Sequence, residues 1–141
     1  MKNIICGFAG IGKSTCANEL LKVVDLESTP FAKNWEMYAR VAQHMASNGY
    51  TVLLSCHKEL RQYLLSNGVE FTTVMPSPIL DHIDSKTIYL KRYRGRGNNQ
   101  AFIDLMSSNW GEFNTTLPKE EVVELPLDKY LIDLLTLNKQ D

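Results

Sequence analysis

The stretch Gly7-Phe8-Ala9-Gly10-Ile11-Gly12-Lys13-Ser14 satisfies G-x-x-x-x-G-K-[ST] at every fixed position. Its flanks give the pattern meaning. Asn3 to Cys6 is a short apolar run suited to a buried strand, and Ser14 to Lys22 places Ala17, Leu20 and Leu21 on one helical face. A strand that passes through a glycine-rich turn into a helix is suited to hold an anion. The glycines let the backbone curl until several N–H groups face one point, and the helix N-terminus adds partial positive charge there. A lysine in this place spans β- and γ-phosphates, and the hydroxyl after it reaches Mg²⁺. Gly7, Gly10, Ile11, Gly12, Lys13, Ser14 and Thr15 are therefore the candidate residues for a nucleoside triphosphate, with Thr15 toward the α-phosphate. A glycine turn without a ligand is outweighed by motif and context together.

Outward from this loop, short apolar runs alternate with amphipathic ones. Val23 to Leu26 is a second strand ending in acid, Tyr50 to Ser55 a third, Phe71 to Met75 a fourth stopped by Pro76, and Val122 to Leu125 a fifth. Between them, Lys33 to Asn48 and Lys58 to Ser66 read as helices. Ile79 to Tyr93 and Gln100 to Phe113 read as two more, parted by the glycines at 95 and 97. Leu127, Tyr130, Leu131, Leu134 and Leu135 mark an amphipathic last helix. Strands alternating with helices predict an α/β fold, three layers deep in αβα order, with a five-stranded parallel sheet of the P-loop NTPase type. Ligands of such sheets bind at the carboxyl ends of strands. Attention therefore falls on Gly7, on Asp25 to Glu27, on Ser55 to Lys58 and on Pro76.

At 141 residues the chain fits one domain, 1–141. Fifteen Lys and Arg against sixteen Asp and Glu argue against a surface made to coat nucleic acid, though not against a local basic site. Cys6, Cys16 and Cys56 have neither C-x-x-C nor metal-ligand spacing and read as small core residues in a reducing compartment. The apolar N-terminal run is too short for a membrane span and lacks the layout of a signal peptide, so the expectation is a soluble cytoplasmic protein (host cytoplasm if viral) with no membrane partner.

Other phosphate-loop classes leave marks that are missing here. No D-x-x-G occurs, and Asn138-Lys139-Gln140-Asp141 matches N-K-x-D only in a polar tail behind a helical segment. The third strand runs into Ser55-Cys56-His57 rather than an acid. With the glycine loop, Asp25-Leu26-Glu27 after the second strand, Ser55 to Arg61 after the third and an arginine-rich stretch after the fourth, the chain resembles the P-loop kinase superfamily. It is most similar in layout to gluconate- and shikimate-kinase-like enzymes and to small nucleotide-kinase-like proteins of bacteriophages. In gluconate kinases a Ser-x-Leu-Lys-x-x-Tyr-Arg stretch follows the third strand; Lys58 and Arg61 hold comparable places, with His57 added. No long insertion exists here for a separate monophosphate-binding lobe.

That resemblance implies an ATP- and Mg²⁺-dependent phosphotransferase whose acceptor is a nucleotide or a small metabolite. Its catalytic set is Lys13, Asp25, Arg92 and Arg96. Ser14 and Asp25 would hold the metal, Asp25 alternatively taking the acceptor's proton. Glu27, Ser28, His57, Lys58 and Arg61 form the expected acceptor site; His57 and Arg61 lie four apart on one helical face, and an arginine fork suits an acceptor phosphate or carboxylate. Lys91-Arg92-Tyr93-Arg94-Gly95-Arg96 lies within an expected lid, about 88–100, whose arginines close over the phosphates. Plainer readings stand beside these: a capping acid at Glu27-Ser28-Thr29-Pro30, a solvated helix face at 57–61, a solvated basic helix end or a nucleic-acid contact at 91–96. Trp35, Tyr38 and Trp110 read as core aromatics, Trp35 also as a floor for the acceptor; His44 and His82 read as surface residues. Two rival functions remain, a kinase acting on a modified base in DNA and a nucleotide-binding protein that phosphorylates no acceptor.

Overall fold

A computed structural model describes residues 1–77, 79–80 and 83–139. Its centre is a five-stranded sheet of β1 (Ile4–Gly7), β2 (Val23–Asp25), β3 (Thr51–Leu54), β4 (Thr72–Pro76) and β7 (Val122–Leu125), ordered β2-β3-β1-β4-β7 and parallel throughout. Each strand lies within a residue of its expected bounds, because the runs are short, β-branched or aliphatic and closed by turn residues. The chain leaves β1 toward β2 and later crosses back past β1 to β4. The strand order thus reverses beside the carboxyl end of β1, where Gly7 stands.

Alternation of side chains divides the core in two. On one face Ile4, Cys6, Val52 and Leu54 pack against Tyr38, Ala39 and Ala42 of α2 (Trp35–Ser47) and against Leu60 and Leu64 of α3 (Lys58–Ser66). On the other, Ile5, Leu53 and Val74 meet Cys16 of α1 (Lys13–Glu19), Tyr89 and Tyr93 of α4 (Ser85–Gly95), Ile103 and Met106 of α5 (Gln100–Ser108), and Leu131 of α7 (Leu131–Lys139). Helices therefore cover both faces, and the α/β expectation holds at that level.

Several helix boundaries differ from the sequence reading: α1 ends at Glu19 rather than Lys22, which leaves Leu21 exposed instead of on the packed face, and α2 starts at Trp35 rather than Lys33. The expected helix over 79–93 begins only at Ser85. Before it, β5 (Ile79–Leu80) and β6 (Ile83–Asp84) pair antiparallel, which suits the β-branched Ile79 and Ile83. His82, the expected surface histidine, and the Gln140-Asp141 end of the N-K-x-D match lie outside the described residues. The helix expected over 100–113 breaks at Asn109, whose side chain donates to the Leu105 carbonyl of the turn before, and α6 (Trp110–Phe113) follows. The last helix starts at Leu131 rather than Leu127, because the carbonyls of Leu127 and Lys129 are held from outside by Arg92.

Candidate functional site

The glycine loop, from Gly7 through the start of α1, has its polar groups sorted by direction. Its carbonyls are all taken. Lys13 Nζ donates to Gly7 O at 2.7 Å and to Phe8 O at 3.4 Å. The Tyr93 hydroxyl donates to Ala9 O at 2.8 Å, Arg92 Nη1 to Gly10 O at 3.0 Å, the Leu131 N–H to Ile11 O at 2.8 Å and the Cys16 N–H to Gly12 O at 3.2 Å. The N–H groups of Ala9, Gly10, Gly12, Lys13, Ser14 and Thr15 have no acceptor among the described residues, nor has the Ser14 hydroxyl. Carbonyls tied back on one side and N–H groups left open on the other make a cradle for an anion. Gly10 and Gly12 sit at φ +93°, where a side chain is strained. At Gly10 the loop also lies too close to α4: a Cβ there would come within 2.8 Å of the Tyr93 ring.

Lys13 belongs to this loop, with its ammonium on the Gly7 and Phe8 carbonyls. Burial holds its ammonium below the usual lysine range, and Arg96 pushes the same way, against the pull of Cys56, Asp25 and Glu27. Asp25 closes β2. Burial raises its carboxyl above the usual aspartate range; Lys13 draws it down, and Glu27 pushes it up again. Asp25 and Glu27 thus share the electrostatic neighbourhood of Lys13. Ser28 precedes a 3-10 turn at Thr29–Phe31, as the turn reading of Glu27 to Pro30 expected.

Tyr38, expected only to fill the core, is fully buried and also joins two strand ends. Its hydroxyl donates to the Leu26 carbonyl, between Asp25 and Glu27, and accepts from the Ser55 N–H at 3.1 Å. Beyond Ser55, His57 is the N-cap residue of α3. Its Nδ1 lies 2.9 Å from Ser55 Oγ, and its ring lies 5.2 Å from that of Trp35 at 37°. Partial desolvation lowers the imidazole pKa, against the pull of Glu59. Trp35 therefore supports His57; it does not line the cleft described below.

Arg61 corrects the sequence reading. It is fully buried, and Nη1 lies 2.8 Å from Glu120 Oε1 and 2.9 Å from Oε2. Nη1 and Nη2 also donate to Thr115 O at 3.2 Å, and Nε to Cys56 O at 3.2 Å. Glu120 in turn accepts from Thr73 Oγ1 and the Leu117 N–H. The fork expected to hold an acceptor anion is spent inside the protein, where it fastens α3 to the segment before β7.

Arg92 is the second correction. Besides Gly10 O, it donates to Leu127 O at 2.8 Å and Lys129 O at 3.1 Å, and it lies 4.5 Å from the Tyr89 ring centre and 4.0 Å from that of Tyr130. So fixed, it is a strap behind the glycine loop rather than a lid arm over the phosphates. Arg94 is exposed. Arg96 bonds Asn98 and lies 5.1 Å from the Tyr93 ring centre, and it is the arginine of this run that acts on Lys13.

Beside the loop opens a cleft of about 270 Å³. One side is Ser55 to Glu59 with Arg61, the other Phe102, Leu105 and Met106 of α5 with Glu112 and Phe113 of α6, and Gly7 to Ala9 and Lys13 form its end. His57 and Lys58 of the expected acceptor site line it; Asp25, Glu27 and Ser28 do not. The α5–α6 wall was missed from sequence because apolar residues at helical spacing read as core. Leu105, half exposed, is the one that departs from that reading.

Among the described residues no group of three or more His, Cys, Asp or Glu could hold a metal by itself, and no helix is long and apolar enough to cross a membrane. Comparisons with family models, curated proteins and solved structures returned no match to this chain.

Proposed function

We propose that this chain is a small P-loop kinase that transfers the γ-phosphoryl group of a nucleoside triphosphate, ATP first among candidates, to an acceptor held in the cleft beside the loop. The observation that carries this is the sorted glycine loop: its carbonyls are all bonded, six N–H groups are left without acceptors among the described residues, and a half-buried lysine belongs to the same loop. Triphosphate oxygens would take those N–H groups, and Lys13 would exchange its bonds to Gly7 O and Phe8 O for the β- and γ-phosphates.

The donor set fits a magnesium ion carried by the nucleotide rather than by the protein. Ser14, with a hydroxyl that has no partner among the described residues, and Asp25, with one carboxylate, would hold it, the nucleotide's phosphates supplying the remaining contacts. When bound, the ion neutralises charge on the phosphates. In the transfer itself the acceptor oxygen bonds the γ-phosphorus, the bond from that phosphorus to the bridging oxygen breaks, and the diphosphate leaves with the electron pair. The acceptor's proton passes to the oxygens of the transferred phosphoryl group, since Asp25, assigned to the ion, does not line the cleft that holds the acceptor. Arg96 supplies positive charge beside the loop. Lys13→Ala is expected to lower ATP-dependent transfer by at least about a hundredfold, the order seen when one transition-state donor is lost. Transfer by that variant at the wild-type rate would overturn the reading. The same assay separates a kinase from a nucleotide-binding protein without an acceptor, since only a kinase consumes ATP faster when acceptor is added.

A further inference from the structure

From the lining of the cleft we infer that the acceptor is an uncharged molecule with a flat aromatic body and a free hydroxyl, the nucleoside class, rather than a monophosphate or a sugar acid. This rests on the kinase reading above and names the substrate of the same site.

Charge is the first argument. With Lys13 committed to the donor phosphates, the cleft offers Lys58 against two carboxylates, Glu59 and Glu112. Arg61 lines it too, but Glu120 neutralises that guanidinium and protein oxygens engage each of its nitrogens. An acceptor phosphate or carboxylate would leave water for a face with more acid than base and no free fork to receive it.

The wall is the second. Phe102, Leu105, Met106 and Phe113 present rings, an aliphatic chain and a thioether. A polyhydroxylated acceptor would lose water there without gaining hydrogen bonds, whereas a planar ring gains aromatic and sulfur contacts. Leu105 is 51% exposed, an apolar side chain that no core explains and that a ring in the cleft would cover. The polar groups of the opposite side, among them His57 braced by Ser55 and Trp35, remain to orient one hydroxyl toward the loop.

The test uses the full chain with Mg·ATP. Purine and pyrimidine nucleosides, their 5′-monophosphates, gluconate and shikimate are compared by kcat/KM for phosphate transfer, and acceptor binding is measured by calorimetry without ATP. Nucleosides are expected to exceed the other classes at least tenfold in kcat/KM. Two exposed-site variants sharpen this. Leu105→Asp should lower nucleoside binding with ATP affinity, read in parallel, unchanged. Glu112→Lys should raise use of a monophosphate about three- to fivefold, the size of an exposed charge contact. A preference for monophosphates or sugar acids, or no nucleoside binding in a protein that binds ATP, overturns the inference. Nucleoside binding in a protein that binds no ATP sustains the cleft assignment and overturns the kinase reading instead.

Discussion

Asp25 is pulled by function and stability in opposite directions. Its carboxylate serves a magnesium ion only when ionised, and burial works against the folded state whenever the group is ionised. The sign follows from linkage. A carboxyl whose folded pKa lies above its unfolded value binds more protons folded than unfolded between the two. Stability therefore falls as pH rises from about 3.9, the unfolded value, through the raised folded one, and the loss stays in place above it. Asp25→Asn should thus leave the ligand-free protein more stable than wild type at pH 7, in urea melts, while abolishing transfer. The difference should vanish below about pH 3.9. An Asn variant less stable at pH 7 would mean that the pull of Lys13 outweighs burial. Sequence pointed to Asp25 because an acid directly after a buried strand is rarely there for packing. It misread Arg61, since nothing local announces that an arginine will meet a glutamate 59 residues later.

That pair matters most at the level of elements. Strands and helix faces are short-range properties, so β1 to β4, β7, α2 and α3 were legible from periodicity and turn residues. Contacts that join elements were not. Arg61–Glu120 ties the first turns of α3 to the segment before β7, and Arg92 ties α4 to the loop before α7 and to the glycine loop. In both cases a cationic side chain near the site is engaged by oxygens of distant segments, and Arg92 by two rings as well. The Tyr38 hydroxyl does for β2 and β3 what Arg92 does for α4 and α7. Removing one partner of a fully buried ion pair leaves the other charge uncompensated, at about 3–5 kcal/mol. Glu120→Gln should therefore destabilise by about that order in equilibrium unfolding. A double change to Arg61→Met and Glu120→Leu should recover most of it, because an apolar pair of similar volume can replace a buried salt bridge. If Arg61 instead served an acceptor anion, Glu120→Gln would free it and improve acceptor binding at little cost in stability.

Across the whole molecule, a formal charge of −1 conceals a division of labour among the basic residues. Arg61 and Arg92 hold the frame, while Lys13 and Arg96 act on one another beside the glycine loop. A frame held this way presents its anion cradle before the ligand arrives, so ligand binding should register as stability of the entire domain rather than as local ordering. At one hundred times its dissociation constant, a ligand specific to the folded state adds about 2.7 kcal/mol. In a domain near 150 residues each kcal/mol moves Tm by ~2–4 °C, so saturating Mg·ATP should raise it by ~5–10 °C. Lys13→Ala should lose most of that rise, and the comparison is between shifts, since Lys13 also bonds Gly7 O and Phe8 O in the free protein. Arg94→Ala, at an exposed position on the outer end of α4, should keep it. A wild-type protein whose Tm ignores Mg·ATP would show that the cradle holds something other than a triphosphate. A shift retained in Lys13→Ala would place the nucleotide elsewhere on the molecule.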